Sequence, residues 1–204
     1  MRPAAQQEFV AFVSQYEGVT DWMYLDVKGL VTSGIGNLLE PIALAQALPW
    51  TCSYTRAATP TEVTNGWMTV KSRQDLKLLG GGHYKSVCDL RLSKAAVADL
   101  VRKRMQDNED QLSVWFPAYQ DFCADAQMAI MSIAWAVGDN FARTFPRFRA
   151  AANAGDWLTA AAESHISDGN PARNEANRYL LTMAATSQDP ELLHWPRLPD
   201  SSVG

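Results

Sequence analysis

The run DAQMAIMSIAWAV, residues 125–137, restricts the fold of this chain more than any other stretch. It is apolar on nearly every side, so a helix formed by it has no face to offer water and must lie in the centre of a helical lobe. Gly138 then provides a C-terminal stop. No stretch approaches the roughly 18 to 20 consecutive apolar residues that span a bilayer.

Elements that can surround such a helix are readable on both sides. Residues 6–17 place Phe9, Val10, Val13 and Tyr16 on one helical face, and the pattern ends near Glu17-Gly18. From Ser93, a capping residue, Ala96, Val97, Leu100, Val101 and Met105 form an apolar stripe that predicts a long connecting helix. Segments 141–153, 156–165 and 171–185 read as shorter helices, with Asp156 and Asn170-Pro171 as start signals. Between Trp22 and Ile35 the alternation of apolar and polar residues around DVKG, with glycines at 29, 34 and 36, predicts a small hairpin or curled sheet.

Residues 38–92 read as an irregular insertion, rich in Thr, Pro and turn formers, with GGGH at 80–83 as a flexible break. The triple glycine is no phosphate loop, because no Gly-Lys-Ser/Thr follows it. Trp50, Tyr54, Trp67 and Tyr84 are expected to anchor the insertion to the core, with stacking on sugars as the alternative. Trp135 reads as core and Trp157 as packing at a helix start. The tail from Asp189 is proline-spaced and expected to lie extended.

Composition narrows the classes of function. The 204 residues, 47% apolar and 20% charged, suit a folded globular chain. A net charge of -4 argues against a nucleic-acid partner, RKR at 102–104 being only a local basic patch. Arg143, Arg147 and Arg149 read as a solvated face. The N-terminus lacks the basic start and apolar run of a signal peptide, which predicts synthesis in the cytoplasm and a separate delivery route for any work outside it. Cys52, Cys88 and Cys123 are scattered and odd in number, and His83, His165 and His194 do not cluster. Free thiols, structural histidines and no metal site are expected.

The chemistry-bearing stretch is YEGVTDWMYLDVKGLVTSGIGN, residues 16–37. Glycosidic cleavage commonly needs a proton donor on the leaving oxygen and a second acid that stays ionised. Glu17, between an apolar helix and a hairpin, is placed for partial desolvation, which favours a protonated carboxyl. Asp26, in a polar turn beside backbone amides, suits the charged role, and Thr32 can hold a water against it. Taken alone, the spacing favours the plainer reading of a helix end, a turn and a strand, with Asp21 as solvated surface.

The stretch, with Glu-Gly, then Asp, then Thr, then SGIGN, resembles the catalytic segment of the phage T4 lysozyme-like family of muramidases. Two further segments are similar to that family, in its order: SIAWAVGDNFARTFPRFRAAANAGDWLTAAAE and GNPARNEANRYL. The resemblance implies an α+β, mainly α, two-lobed fold. A small β-hairpin lobe and a helical lobe would be separated by a long helix and a peptidoglycan-binding cleft, with residues 1–188 as the catalytic domain and 189–204 as its tail. Glu17 matches the general acid, Asp26 the acid that positions water, and Thr32 the hydroxyl beside that water. Arg173, with Arg178 as its neighbouring alternative, matches an arginine that pairs with the general acid. The family's histidine is Asn37 here, which keeps hydrogen-bonding capacity without charge, and the region 38–92 exceeds the family's compact lobe.

The implied activity is hydrolysis, with inversion, of the β-1,4 bond between N-acetylmuramic acid and N-acetylglucosamine by a monomer needing no cofactor or metal. A phage endolysin released by a holin and a secreted antibacterial effector acting in the periplasm or cell wall both fit, the latter with an immunity protein at the cleft. Neither setting requires membrane insertion. The alternative is a non-catalytic peptidoglycan-binding or inhibitor-binding module with the same fold.

Overall fold

A computed structural model describes residues 1–138 and 141–195. In chain order the elements are α1 (Pro3–Ser14), β1 (Thr20–Leu25), β2 (Val31–Gly34), β3 (Asn37–Leu38), α2 (Ile42–Gln46), β4 (Thr51–Cys52), β5 (Arg56–Ala57), α3 (Pro60–Ser72), β6 (Leu90–Arg91) and α4 (Lys94–Trp115). They continue with α5 (Ala124–Val137), α6 (Phe141–Thr144), α7 (Pro146–Asn153), α8 (Trp157–Ala162) and α9 (Pro171–Ala184). The fold is α+β and mainly helical, as the periodicities predict. Among the described residues no helix is long and apolar enough to cross a membrane. The chain divides into two compact units: residues 13–104, and residues 1–12 together with the described residues from 105 onward.

The unit of residues 13–104 holds two small antiparallel sheets, β1-β2-β3 and β5-β4-β6. In the first, Tyr24 pairs with Thr32 and Leu25 with Val31, but the ladder slips before Thr20 pairs with Gly34, so β1 bulges around Asp21–Met23. The bulged strand instead offers the Asp21 carbonyl to the Leu92 amide at 2.8 Å, just beyond β6.

Residues 38–92 are not the irregular insertion expected. They hold a 13-residue helix, α3, which starts on a capping box in which Thr59 and Glu62 satisfy each other's backbone amides. The signal is present in the sequence as T-P-T-E, hidden within a Thr- and Pro-rich stretch. Nor is GGGH a flexible break: Gly81–Tyr84 forms a turn of 3-10 helix packed on β1. Of the insertion's aromatics, Trp50 and Tyr84 are buried, donating to the carbonyls of Ala45 and Arg73, and half-buried Trp67 donates to Leu39. These three anchor the region, whereas the Tyr54 ring is 60% exposed.

In the other unit α5 is the buried centre, with every residue from Ala124 to Trp135 shielded from water. It packs chiefly on α9. Gly138, at φ +103, ends it where a side chain would be strained. The helix starts behave as read, since Asp156 accepts from the Thr159 amide and Asn170 from those of Ala172 and Arg173. The first helix begins at Pro3 and ends at Ser14, three residues earlier than its apolar pattern suggests, and Pro146 divides the expected 141–153 helix in two.

Trp135 is core, and Trp157 meets Phe122 edge to face at 4.8 Å between ring centroids. Residues 189–195 are tied down, as Pro190 accepts from the Ala124 amide and His194 binds Asp125. The rest of the expected tail, 196–204, lies outside the described residues. All three cysteines are free.

Candidate functional site

The segment 16–37 is assembled by local hydrogen bonds. The amides of Tyr16 and Glu17 both donate to Val13, each at 3.1 Å, so the chain leaves α1 in a bend that presents the half-buried Glu17 just before β1. At the far end of β1, Asp26 folds its turn around itself. Its Oδ1 accepts from the amides of Lys28 and Leu30, each at 2.9 Å, and its own amide and carbonyl pair with Leu30 and Gly29. This fixes the carboxylate's orientation and leaves Oδ2 without a hydrogen bond from the described residues.

Thr32, only 4% exposed, stands opposite Tyr24 and donates its hydroxyl to the Leu30 carbonyl at 3.1 Å. The oxygen lone pairs stay available as acceptors. Asn37, also 4% exposed, is consumed by scaffold: Oδ1 accepts from Ile35 at 3.1 Å and Nδ2 donates to Leu100 of α4 at 3.3 Å. It pins the β2–β3 turn. Gly34, at φ +65, leaves the space beside Oδ1, where a Cβ would come within 2.9 Å.

Tyr24 joins the acids electrostatically. Burial pushes its phenol up to about 12, and the negative charges of Glu17 and Asp26 push in the same direction, with Arg104 opposing them. Both carboxylates therefore lie within electrostatic reach of one side chain, which is itself the ladder partner of Thr32. Arg104 also donates to the Gly36 carbonyl at 2.8 Å, and Arg102 is paired with Asp99, so two of the three cations of RKR are engaged locally. Neither Tyr24 nor Arg104 stood out in the sequence, although Tyr24 sits two positions before Asp26, in step with Trp22.

Asp21, expected as solvated surface, accepts a hydrogen bond from the Tyr54 hydroxyl. Arg173 belongs to the other unit, where it occupies the first turn of α9 and is 3% exposed. Arg178 on the same helix is exposed and pairs with Glu175.

Within residues 13–104, then, two carboxylates lie within electrostatic reach of the half-buried Tyr24, and the buried Thr32 hydroxyl stands on the adjoining strand. Such a set can protonate a leaving oxygen and orient a water molecule. No protein-family model matches the chain, and no curated protein matches it significantly.

Proposed function

We propose that the protein is a peptidoglycan hydrolase of the muramidase type, with Glu17 as proton donor, Asp26 as the acid that orients the attacking water, and Thr32 beside that water. The observation that carries the reading is that Glu17 and Asp26 both lie within electrostatic reach of Tyr24, the ladder partner of Thr32. The order of elements also favours a lysozyme-like fold, a small sheet followed by a 22-residue helix and then a set of helices around a buried one. In this proposal Asn37 supports the site by holding its turn. Direct attack by water would invert the anomeric centre.

The test is clearing of purified peptidoglycan, with product analysis by mass spectrometry. Clearing that yields reducing-end muramic acid and disappears in Glu17→Gln supports the assignment. Equal clearing by both proteins removes it, and an anhydro-muramic product identifies a lytic transglycosylase instead. Binding to cell walls without any clearing would leave a non-catalytic module. A neighbouring holin gene favours a phage lysis protein, and a neighbouring immunity gene an antibacterial effector.

A further inference from the structure

Around Trp22 of β1, the strand that links the two candidate acids in the chain, lies a second group of side chains that the hydrolytic chemistry does not use. Trp22 and Tyr24 are two apart on β1 and both meet Gly81. The Trp22 indole donates to the Gly81 carbonyl at 2.8 Å, and a Cβ on Gly81 would come within 3.2 Å of the Tyr24 ring. They therefore share a face of the strand. Over the Trp22 ring stand two cations, Lys85 Nζ at 5.4 Å and the Arg91 guanidinium carbon at 5.9 Å from the centroid.

Elsewhere in the unit Arg56 pairs with Glu62, Lys71 with Glu40, Arg73 with Asp75 and Arg102 with Asp99. Among the described residues Lys85 and Arg91 form no ion pair, and the acids near them in the fold, Asp21 and Asp89, form none either. Arg91 is nevertheless fixed, its guanidinium donating to the carbonyls of Cys88, Leu90 and Lys85. Dipoles of this kind hold the group in place without neutralising it. Residues 13–104 carry eleven Lys and Arg against eight Asp and Glu, the opposite sign from the whole chain.

An exposed aromatic adjoins the cations. Ser53 and Tyr54 occupy the left-handed region at φ +46 and +62 without being glycine, a conformation that L side chains rarely adopt. The turn presents the Tyr54 ring to solvent while its hydroxyl is held by Asp21, and Arg91 lies within electrostatic reach of it. An exposed ring beside two cations that form no ion pair among the described residues matches a polymer that offers sugar faces and carboxylates together.

We infer that Trp22, Tyr54, Lys85 and Arg91 form an accessory subsite that engages the peptide-stem carboxylates of a peptidoglycan strand, with Tyr54 against its sugars. The identity of the strand rests on the muramidase reading, whereas the anion preference rests on the cations themselves.

The test is co-sedimentation in a Glu17→Gln background, so that binding is read without cleavage. The probes are intact peptidoglycan, the same material stripped of its stems by an amidase and then esterified at the muramic carboxylates this exposes, and peptidoglycan with and without attached teichoic acid. The expected result is that Lys85→Glu weakens binding to intact strands about tenfold. Lys85→Met, which keeps the aliphatic stem over Trp22, should weaken it less, and neither change should alter binding to stripped glycan. Affinity for intact strands should also fall as salt rises.

Unchanged binding in Lys85→Glu, equal losses on intact and stripped glycan, or dependence on teichoic phosphate rather than on stems would each overturn the inference. Clearing by the Glu17-intact protein is scored separately. Loss of the muramidase reading and loss of the subsite are therefore distinguishable.

Discussion

Gly81 lies flat against the ring of Tyr24, so close that an added Cβ would sit 3.2 Å from two ring carbons. The contact joins the 80–85 segment to the residue on which Glu17 and Asp26 both act. Gly81→Ala is expected to push the ring by a few tenths of an ångström and to cost about 1 kcal/mol, with a loss of activity beyond the loss of folded protein. Gly82 has no atom within 4 Å of its own Cβ position and serves as the control. Gly82→Ala should leave stability unchanged or raise it by about 0.5 kcal/mol through the unfolded chain. Thermal unfolding and wall-clearing rates of the two variants, compared side by side, check this.

The phenol of Tyr24 gives the fold an alkaline limit. Its folded value is raised to about 12 from 10, so the unfolded chain releases this proton first as pH rises. The associated stability is complete below about pH 10 and is lost between there and about pH 12, amounting to about 3 kcal/mol. Buried Tyr119 is shifted upward as well, so the difference between wild type and Tyr24→Phe is the informative quantity. The two should lose stability at different rates between pH 9 and 11, with the shallower fall in Tyr24→Phe, measured by denaturant midpoints.

Asp26 has two separable duties. Its Oδ1 closes the turn through Lys28 and Leu30, which an amide oxygen can also do, while its charge serves the proposed chemistry. Asp26→Asn is therefore expected to keep stability within about 1 kcal/mol and to lower hydrolysis about 100-fold or more. Asp26→Ala should lose the turn as well and fall a further 1 to 2 kcal/mol in stability, as a lost side-chain cap of backbone amides does. Activity retained in Asp26→Asn would remove Asp26 from the mechanism.

What could be read before the structure was whatever depends on local chemistry. The all-round apolar pattern of 125–137 places α5 in the centre of its unit, and Asp156 and Asn170 cap their helices with the short polar side chains that make them recognisable. Residues 38–92 were misread because Thr and Pro favour turns and caps alike, and Thr59-Pro60-Thr61-Glu62 is a cap. Pairings distant in sequence left no such trace. Nothing in a single sequence links Asp21 to Tyr54, or Trp22 to Gly81, because those contacts depend on how β1 bulges away from β2. Asn37 illustrates the limit from the other side: its position was legible, but its engagement with Ile35 and Leu100 was not.

Glu40 and Lys71 connect α3 to the site's turn. Glu40 accepts from the Val31 amide and from Lys71, and Lys71 also donates to the Gly29 carbonyl at 2.9 Å, inside the Asp26 turn. Burial opposes the charged form of Glu40, but the Lys71 ammonium and the Val31 amide outweigh it and hold the carboxyl below its ordinary value. A depressed carboxyl contributes stability that is present above the unfolded value and lost as pH falls through the folded one. Glu40→Gln should cost about 1 kcal/mol at pH 7. That difference should shrink as pH falls below about 4, measured by thermal unfolding across the range.

Asp125 carries the strongest test of the helical unit. It is fully buried at the first turn of α5, and its two oxygens accept from the His194 amide and pair with His194 Nδ1, each at 2.7 Å. Beside it the Ala124 amide donates to Pro190, and Arg2 pairs with Glu191, so residues 190–194 close over this helix start. Asp125→Ala leaves the His194 groups without their acceptor and removes a carboxylate favoured at a helix N-terminus. A loss of about 2 to 4 kcal/mol is expected, with faster proteolysis of the segment after Asp189. Asp125→Asn keeps one acceptor oxygen for the His194 amide and should lose about half as much. Wild-type stability in both variants would show that the His194 contacts contribute little, and that α5 is held by its apolar packing, chiefly against α9.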